Sequence, residues 1–300
     1  MKMHVYLLLV LCVLFWSANF VLGRFVAGAI EPLELAFFRW LGVWLLMLPF
    51  LLLHVKNIWA ALKSHFGILL LLSALGIASF NTLLYVGLQH TTATNALLIN
   101  SSIPILIVFL SSLILKSTIS HKQMLGIVLS TLGVVFLVLK GNVMSLHSLS
   151  LNPGDFWVIA SSLCWASYSV LVKFRPQSLS SMEFFITTVS LGVPMLLPFY
   201  VAQGYSLERE MAIITQYTWV IAYVVIFTSI LSYYLWHKGI AHIGAYKTGQ
   251  FTHLMPLFGS FLAYIFLGER LEWYHLGGIV FIFGGIYLCL HVKKKEALTH

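Results

Sequence analysis

Two short runs of polar side chains recur at helical spacing inside long apolar stretches of this chain. The first run comprises Asn81, Tyr85 and Gln89, spaced by four, and the second comprises Lys247, Gln250 and His253, spaced by three. Residues three or four apart lie on one face of a helix. Amide, phenol and imidazole groups on such a face can hydrogen-bond a polar solute, so the spacing favours helix faces that line a cavity.

A second pattern places a tryptophan and a neighbouring polar residue in two similar segments. LFWSANFVLGRF (14–25) and LCWASYSVLVKF (163–174) align at an offset of 149 residues, which pairs Trp16 with Trp165 and Asn19 with Tyr168. Tryptophans that anchor a chain in a membrane belong at its interfaces, whereas these two lie away from the segment ends. They either stack on a flat or apolar solute or serve as packing residues.

Three charged residues could act on a solute or on each other. Arg39 lies about one turn inside an apolar segment, where it could attract a carboxylate, pair with Glu34 or Glu269, or extend to the membrane surface. Glu269 precedes Arg270 and favours a structural ion pair or a cap. Lys247 lies near a segment boundary, where it could also reach the surface or mark the topology.

The elements that position these residues must be membrane helices. The 300 residues are 60% hydrophobic and only 9% charged, against about 25% charged in soluble domains. A net charge of +8 could indicate nucleic-acid binding, but the basic residues are scattered between apolar runs. The composition therefore predicts an integral membrane protein that does not bind nucleic acid.

A membrane helix needs about 20 mostly apolar residues, and ten such segments can be drawn. They are 5–23, 35–54, 67–89, 93–115, 122–140, 155–174, 184–202, 217–238, 246–267 and 274–292. The segment 141–154 is rich in Ser, Asn, Gly and Pro, which predicts a loop. We therefore expect a first five-helix repeat at 1–140, the loop at 141–154, a second repeat at 155–292 and a basic tail at 293–300.

Basic residues set the expected orientation. With both termini in the cytoplasm, twelve of the 17 lysines and arginines lie inside, as the positive-inside rule requires. Five helices are an odd number, so the second repeat must enter the membrane in the opposite direction to the first. Such inverted repeats are typical of secondary transporters with a site near the midplane.

Correspondences between the halves extend to the polar faces at an offset of 152. Asn81 and Tyr85 map to Tyr233 and His237, Lys247 and His253 map to Asn95 and Ser101, and Pro104 maps to Pro256. The two prolines predict kinks in the fourth and ninth helices. The predicted substrate-binding residues are Trp16, Asn19, Asn81, Tyr85, Asn95, Ser101, Trp165, Tyr168, Tyr233, His237, Gln250 and His253. The alternative is that they form interhelical hydrogen bonds, which contribute about 0.6 to 2 kcal/mol each.

The chain resembles the drug/metabolite transporter superfamily, and specifically its ten-helix EamA-type exporters. The resemblance spans the chain and rests on FWSANFV, PLELAFFRW (32–40), GDFWVIASSLCWASYSVLVK (154–173) and LMPLFGSFLAYIFLGERLEWYHLGGIVFIFGGIYL (254–288). The first half departs from the last motif, with LKSTI (115–119) where the second half has LGERL (267–271). The resemblance implies transport of small metabolites such as amino acids, through a cavity lined by helices one, three, four, six, eight and nine.

The expected function is export of a small metabolite across the bacterial inner membrane by alternating access. We expect membrane lipid as surroundings, a monomer or homodimer as assembly, and no cofactor or metal. An intramembrane enzyme is an alternative, but neither an H-E-x-x-H nor a G-x-S-x-G motif is present, and these mark metalloproteases and α/β-hydrolases. A membrane subunit that transports nothing is the other alternative, although it needs no repeat around a cavity.

Overall fold

The computed structural model describes residues 2–26, 28–91, 93–142, 152–267 and 272–290. Throughout these ranges the chain forms helices joined by short connections, without a β-strand. The helices are α1 (Lys2–Phe25), α2 (Pro32–Leu53), α3 (Val55–Ser73), α4 (Phe80–His90), α5 (Ala93–Asn100), α6 (Ile103–Leu115), α7 (His121–Val138), α8 (Pro153–Leu171), α9 (Ser181–Ala202), α10 (Leu207–Tyr223), α11 (Ser232–Ile243), α12 (Ala245–Gly249), α13 (Met255–Leu267) and α14 (Trp273–Leu290).

Eight helical stretches within the described ranges are long and apolar enough to cross a membrane, which makes the chain a multi-pass membrane protein. They are Pro32–Leu53, Val55–His90, Leu98–Leu115, His121–Val138, Pro153–Phe174, Ser181–Ala202, Leu207–Ile243 and Trp273–Leu290. Two of the ten predicted spans are not among them. The first corresponds to α1, whose apolar part His4–Asn19 is shorter, and the ninth is divided between α12 and α13.

Two spans begin well before their predicted starts. The third was expected at 67 and the eighth at 217, but their helices begin at Val55 and Leu207. The added turns carry exposed polar residues, which a hydropathy pattern does not detect. At His65 (φ −135°, ψ 29°) and Tyr217 (φ −114°, ψ 21°) the backbone departs from helical geometry, so each added segment meets its apolar span at a bend.

Both of these long stretches contain a π-helical segment, Ala74–Ser79 before α4 and Val224–Leu231 before α11. A π-helical turn holds one more residue than an α-helical turn, and such turns are frequent at functional sites. The hydroxyls of Ser229 in the second segment and of Ser232 directly after it donate to the carbonyls of Val224 and Phe227, each at 2.7 Å. These segments determine which side chains of α4 and α11 face the centre of the bundle.

The structure replaces the two predicted proline kinks with helix breaks. Pro104 is the second residue of α6, after a turn at Ser101 and Ser102, and Pro256 is the second residue of α13. The 3₁₀ segment Gln250–Leu254 separates α12 from α13. Proline suits the first turn of a helix because its missing N–H would have no helical partner there. Each break leaves backbone groups and polar side chains at the bundle centre.

The core lies between α2, α8, α9 and α11. Its largest fully buried side chains include Trp40, Trp165, Phe184, Tyr233 and Trp236, and α7 packs along α14 beside it. Glycines allow that second contact, because a Cβ built on Gly126 would lie only 2.5 Å from the carbonyl oxygen of Gly285. These glycine faces are therefore used for packing within the chain.

Candidate functional site

A small cavity lies at the centre of the bundle, where α1, α2, α4, α8 and α11 meet the two helix breaks. Its volume is about 70 Å³. One water molecule needs about 10 to 15 Å³ on this measure, so the cavity holds a few water molecules in this conformation. Its polar lining comes from Asn19, Arg39, Asn81, Asn100, Ser101, Thr228, Thr252 and His253.

Arg39 supplies the only full charge among these polar lining residues. Its side chain is 2% exposed, and its Nε donates to Ser229 Oγ at 2.6 Å. One Nη atom donates to Asn81 Oδ1 at 3.2 Å, and the other to the Thr228 carbonyl at 3.3 Å. All three acceptors are neutral. Within the described part of the chain no carboxylate lies within ion-pair distance of this guanidinium.

The structure narrows the alternatives for Arg39. Glu34 is fully buried, but its carboxylate pairs with Arg209 at 3.2 Å. Glu269 lies outside the described residues. The guanidinium does not extend to a membrane surface, since it is bonded to Thr228 and Ser229 in the bundle centre. An unpaired charge inside a membrane protein is costly, and such charges commonly mark the path of a substrate or ion.

Aromatic rings form another part of the wall. The Trp16 ring makes an edge-to-face contact with Trp165, with ring centroids 5.3 Å apart. Trp165 in turn lies 5.6 Å from Tyr233. The Trp16 indole donates to the Thr228 carbonyl at 3.0 Å, and the Tyr233 hydroxyl donates to the Gly76 carbonyl at 2.7 Å. Each polar end is therefore bonded to a π-helical segment, which fixes the orientation of the ring beside the cavity.

His253 connects the two helix breaks to α7. Its Nε2 lies 3.0 Å from the carbonyl oxygen of Ser101, and its Nδ1 lies 2.8 Å from Ser130 Oγ. A carbonyl only accepts, so in the neutral ring Nε2 carries the proton and Nδ1 accepts from Ser130. Ser130 Oγ is also 3.1 Å from Gln250 Oε1, but its single proton can serve only one of these two acceptors at a time. The bonds to Ser101 and Ser130 hold His253 in the cavity wall.

The predicted site residues divide into two groups by position. Seven contribute to the cavity lining, namely Trp16, Asn19, Asn81, Ser101, Trp165, Tyr233 and His253. Tyr85 and Gln250 lie outside that lining, as does the predicted charge residue Lys247. Tyr85 lies outside the lining because it is four residues after Asn81, and residues four apart on an α-helix are rotated by about 40° around its axis. The side chain of Asn95 lies outside the described part of the structure.

Tyr168 and His237 lie one level away from this cavity. Both side chains are buried, and the Tyr168 hydroxyl lies 2.6 Å from His237 Nε2. Tyr168 stacks on Trp165 with ring centroids 5.4 Å apart. We call the stacked rings of Trp165 and Tyr168 the aromatic layer. His237 lines a second cavity on its far side, so Tyr168 and His237 lie between the two cavities.

Sequence reasoning missed several lining residues, among them Thr228 and Asn100. The comparison of the two halves identifies positions that are polar in both. Thr228 and Ser229 correspond at an offset of 152 to Gly76 and Ile77, so that comparison excludes them. A search for polar pairs inside apolar runs, such as Thr228-Ser229 or Asn100-Ser101, is the signal that finds them.

The described residues contain no group of three or more His, Cys, Asp or Glu side chains that could hold a metal ion. The chemistry of the cavity is therefore that of one guanidinium, neutral hydrogen-bonding groups and aromatic faces. This combination can bind an anionic group at Arg39 and an apolar group against the rings.

The EamA-like transporter family matches residues 3–139 and 152–290, which is nearly the whole chain. The chain belongs to this family. The family is part of the drug/metabolite transporter superfamily, and the chain is a membrane transporter. The sequence-based resemblance is thereby confirmed.

Two curated relatives and one solved structure agree with this assignment. The uncharacterized transporter YyaM of Bacillus subtilis is 29% identical, over 95% of this chain and 92% of the relative. The uncharacterized transporter YetK of the same organism is 26% identical, over 98% of this chain and 89% of the relative. A protein crystal structure superimposes with a TM-score of 0.70 at 16% identity, covering 95% of this chain and 96% of the other, and this shows that the two share a fold.

Proposed function

We propose that this transporter exports small carboxylate-bearing metabolites, such as amino acids or related compounds, across the bacterial inner membrane. The observation that carries the proposal is Arg39, a buried cation that lines the cavity and has only neutral partners among the described residues. Arginine binds carboxylates through paired, charge-assisted hydrogen bonds. A substrate carboxylate would supply the countercharge that the surrounding residues do not.

The aromatic wall supports a second feature of the substrate. The rings of Trp16, Trp165 and Tyr233 lie on the lining of the same cavity as Arg39. The polar atoms of Trp16 and Tyr233 are already bonded to backbone carbonyls, so these two rings present mainly apolar surface to a ligand. We expect a metabolite with a carboxylate at one end and an apolar or aromatic group at the other.

Two inverted five-helix repeats would give this site its position. Three pairs of features support the repeat at offsets of about 152: the bends at His65 and Tyr217, the prolines at 104 and 256, and the two π-helical segments. With an odd number of helices in each repeat, the second would be inverted in the membrane. Both termini would then lie on the same side, and the distribution of basic residues favours the cytoplasmic side.

Alternating access is the mechanism that such an arrangement favours. The central cavity of about 70 Å³ is smaller than typical ligand pockets of 300 Å³ or more, so its walls must move apart to admit a metabolite. The aromatic layer at Trp165 and Tyr168 separates it from the second cavity. Rocking of one repeat against the other would open the substrate site first to one side and then to the other.

The cavity favours facilitated diffusion or exchange over coupling to a proton gradient. Proton coupling in membrane carriers usually uses carboxylates or histidines inside the bundle. No Asp or Glu is among the described lining residues of the central cavity, and His253 is held on both sides by hydrogen bonds. Transport would then follow the substrate gradient or that of an exchanged solute.

Purified protein in proteoliposomes tests this proposal with a panel of radiolabelled solutes. The panel contains amino acids, monocarboxylates, dicarboxylates, and the matching amides and amines. We expect counterflow of carboxylates and little of their amides. Arg39→Gln should abolish this flux, and Arg39→Lys should restore part of it, since lysine keeps the charge without the paired donors.

Lys63→Gln is the matched control, because it removes one positive charge from an exposed position outside the cavity. It should transport at the wild-type rate. If no solute in the panel is transported, the export proposal is wrong. If Arg39→Gln transports carboxylates and their amides as the wild-type protein does, the assignment of Arg39 as the carboxylate anchor is wrong.

A further inference from the structure

A second, larger cavity lies next to the aromatic layer, with a volume of about 450 Å³. Trp165 and Tyr233 line the central cavity, while Ser169 and His237, four residues further along the same helices, line the second one. Four residues correspond to about 6 Å along a helix. The two cavities are therefore stacked along α8 and α11, roughly one helical turn apart.

The charged side chains that line the second cavity are all basic. Lys173 is exposed and Arg175 half-buried, and no Asp or Glu is among the described residues that line it. The Arg175 guanidinium has a long hydrogen bond of 3.4 Å to Ser181 Oγ and lies 5.6 Å from the Phe184 ring. Burial lowers the pKa of this group below its usual value. An anion in the cavity would supply the missing countercharge.

Polar atoms without partners provide an independent observation. The hydroxyls of Ser111 and Ser169 and Nδ1 of His237 are buried and have no hydrogen-bond partner, and all three residues line this cavity. The Ser117 hydroxyl is a fourth such group. If the Tyr168 hydroxyl donates to His237 Nε2, the ring proton is on Nδ1, which is then a free donor. Buried polar groups normally have partners, so these groups are free to form hydrogen bonds with a molecule that enters the cavity.

We propose that the second cavity is a separate anion-binding vestibule, in which Arg175, Lys173 and the unpaired hydroxyls hold the carboxylate or phosphate of a soluble metabolite. Its volume lies in the range of small-molecule sites. Its place on the route to Arg39 rests on the proposed function. Anion binding in the cavity does not, and it can be measured without transport.

A cysteine placed in the cavity measures its preference for anions. Ala241 is small, exposed and part of the lining, which makes Ala241→Cys a mild change. In the full-length protein this variant is treated with anionic sulfonatoethyl methanethiosulfonate or with the cationic trimethylammonium analogue. The ratio of the anionic reagent's rate to the cationic reagent's rate is compared with the same ratio for free 2-mercaptoethanol. We expect the ratio at the introduced cysteine to be about fivefold higher, because one or two nearby positive charges produce an effect of that size. The wild-type chain, with its buried or half-buried cysteines, gives the background.

Charge removal then identifies the groups responsible. Arg175→Gln and Lys173→Gln, each combined with Ala241→Cys, should return the rate ratio toward that of 2-mercaptoethanol. Lys63→Gln removes the same charge outside the cavity and should leave the ratio unchanged. If Arg175→Gln does not fold, the exposed Lys173 provides the same test. A ratio equal to that of 2-mercaptoethanol, or one that neither substitution lowers, contradicts the proposal.

Competition distinguishes a soluble anion from a lipid headgroup. In phosphatidylcholine vesicles at constant ionic strength, inorganic phosphate or acetate should slow the anionic reagent with saturation. Protection that requires phosphatidylglycerol in the membrane would assign the cavity to a lipid, and the absence of any protection would also overturn the proposal. Anion selectivity in a protein that transports no solute would support this inference and refute the export proposal. Carboxylate transport by a protein whose second cavity shows no anion selectivity would refute this inference alone.

Discussion

Arg39 and Arg209 show how the surroundings of an arginine determine its use. Arg209 lies 3.7 Å from Glu31 and 3.2 Å from Glu34, and its guanidinium lies 4.6 Å from the centre of the Tyr205 ring. Its charge is balanced at the ends of α2 and α10. Arg39 has three neutral acceptors instead. Of these two residues, Arg39 is therefore the one whose charge is available to a ligand.

His253→Ala should reduce flux about tenfold without loss of expression. The substitution removes the bonds to Ser101 and Ser130, and two hydrogen bonds in a membrane bundle contribute about 1 to 4 kcal/mol together. Part of that energy holds the cavity wall in place, and about 1.4 kcal/mol corresponds to tenfold in rate. Counterflow in proteoliposomes, with the protein amount measured on the same vesicles, gives the result.

His242→Ala is the matched control for this substitution. His242 is exposed on α11, and its ring bonds only to the Lys238 carbonyl of its own helix. It should leave the rate unchanged. A His253→Ala protein that transports at the wild-type rate would show that His253 is not a site residue.

Sequence reasoning identified individual site residues unevenly, and the reason is geometric. Trp16 and Asn19 were recognisable because their segment recurs 149 residues later, and both line the cavity. Tyr85 has the spacing of its polar run, but the helical drift carries it out of the lining. The guanidinium of Arg39 could not be located from sequence, since its partners Ser229 and Thr228 lie about 190 residues away.

At the scale of helices, prolines and glycines determine how closely the elements approach. Pro104 and Pro256 lie in the first turns of α6 and α13, and the carbonyl of Ser101 at the first break accepts a hydrogen bond from His253 at the second. Discontinuous helices of this kind hold substrates in other transporters. The breaks thus supply the polar groups that an uninterrupted helix would keep bonded to itself.

Gly285→Ala should destabilise the protein, while Gly284→Ala should not. A Cβ on Gly285 would lie 2.5 Å from the Ser130 backbone nitrogen, whereas one on Gly284 would meet Leu129 at an ordinary 3.6 Å. Overpacking of this kind costs about 1 to 3 kcal/mol. The thermal midpoint in detergent is measured from the loss of the monodisperse peak in size-exclusion chromatography. It should fall for Gly285→Ala only.

The adjacent positions make the two variants a matched pair, with the same helix and the same added methyl group. Equal midpoints for both would show that α14 can move away from α7 at little cost. A lower midpoint for Gly284→Ala alone would indicate that its exposed neighbours form an interface with another chain.

Hydropathy and spacing predict the apolar centre of each helix better than its ends. The third and eighth spans extend backward to Val55 and Leu207, because polar turns can continue a helix beyond the lipid. The division of the predicted ninth span into α12, a 3₁₀ segment and α13 follows its composition, since the polar run from Lys247 to His253 precedes the apolar residues 254–267. That polar run and Pro256 mark the break in the sequence.

At the scale of the whole molecule, the distribution of basic residues predicts the orientation. With the N-terminus inside, the segment before α9 faces the cytoplasm and the segment after it faces outward. Gln203→Cys should therefore react with a membrane-impermeant maleimide in intact cells, while Gln177→Cys should react only after permeabilisation. Both residues are exposed at opposite ends of α9, so burial does not affect the comparison.

Labelling of both variants in permeabilised cells confirms that each thiol is reactive. The reverse pattern in intact cells would show that the chain is inserted the other way round. Labelling of both from outside would show that α9 does not cross the membrane, which would contradict the predicted arrangement of the second repeat.

The neutral surroundings of Arg39 have an electrical consequence. A site with one uncompensated positive charge when empty becomes neutral when it binds a monocarboxylate. Moving an elementary charge across the membrane changes the energy by about 2.3 kcal/mol per 100 mV. The return of the empty site would therefore respond to voltage, while the loaded step would not. A negative cell interior would draw the empty site inward, which is where an exporter collects its next substrate.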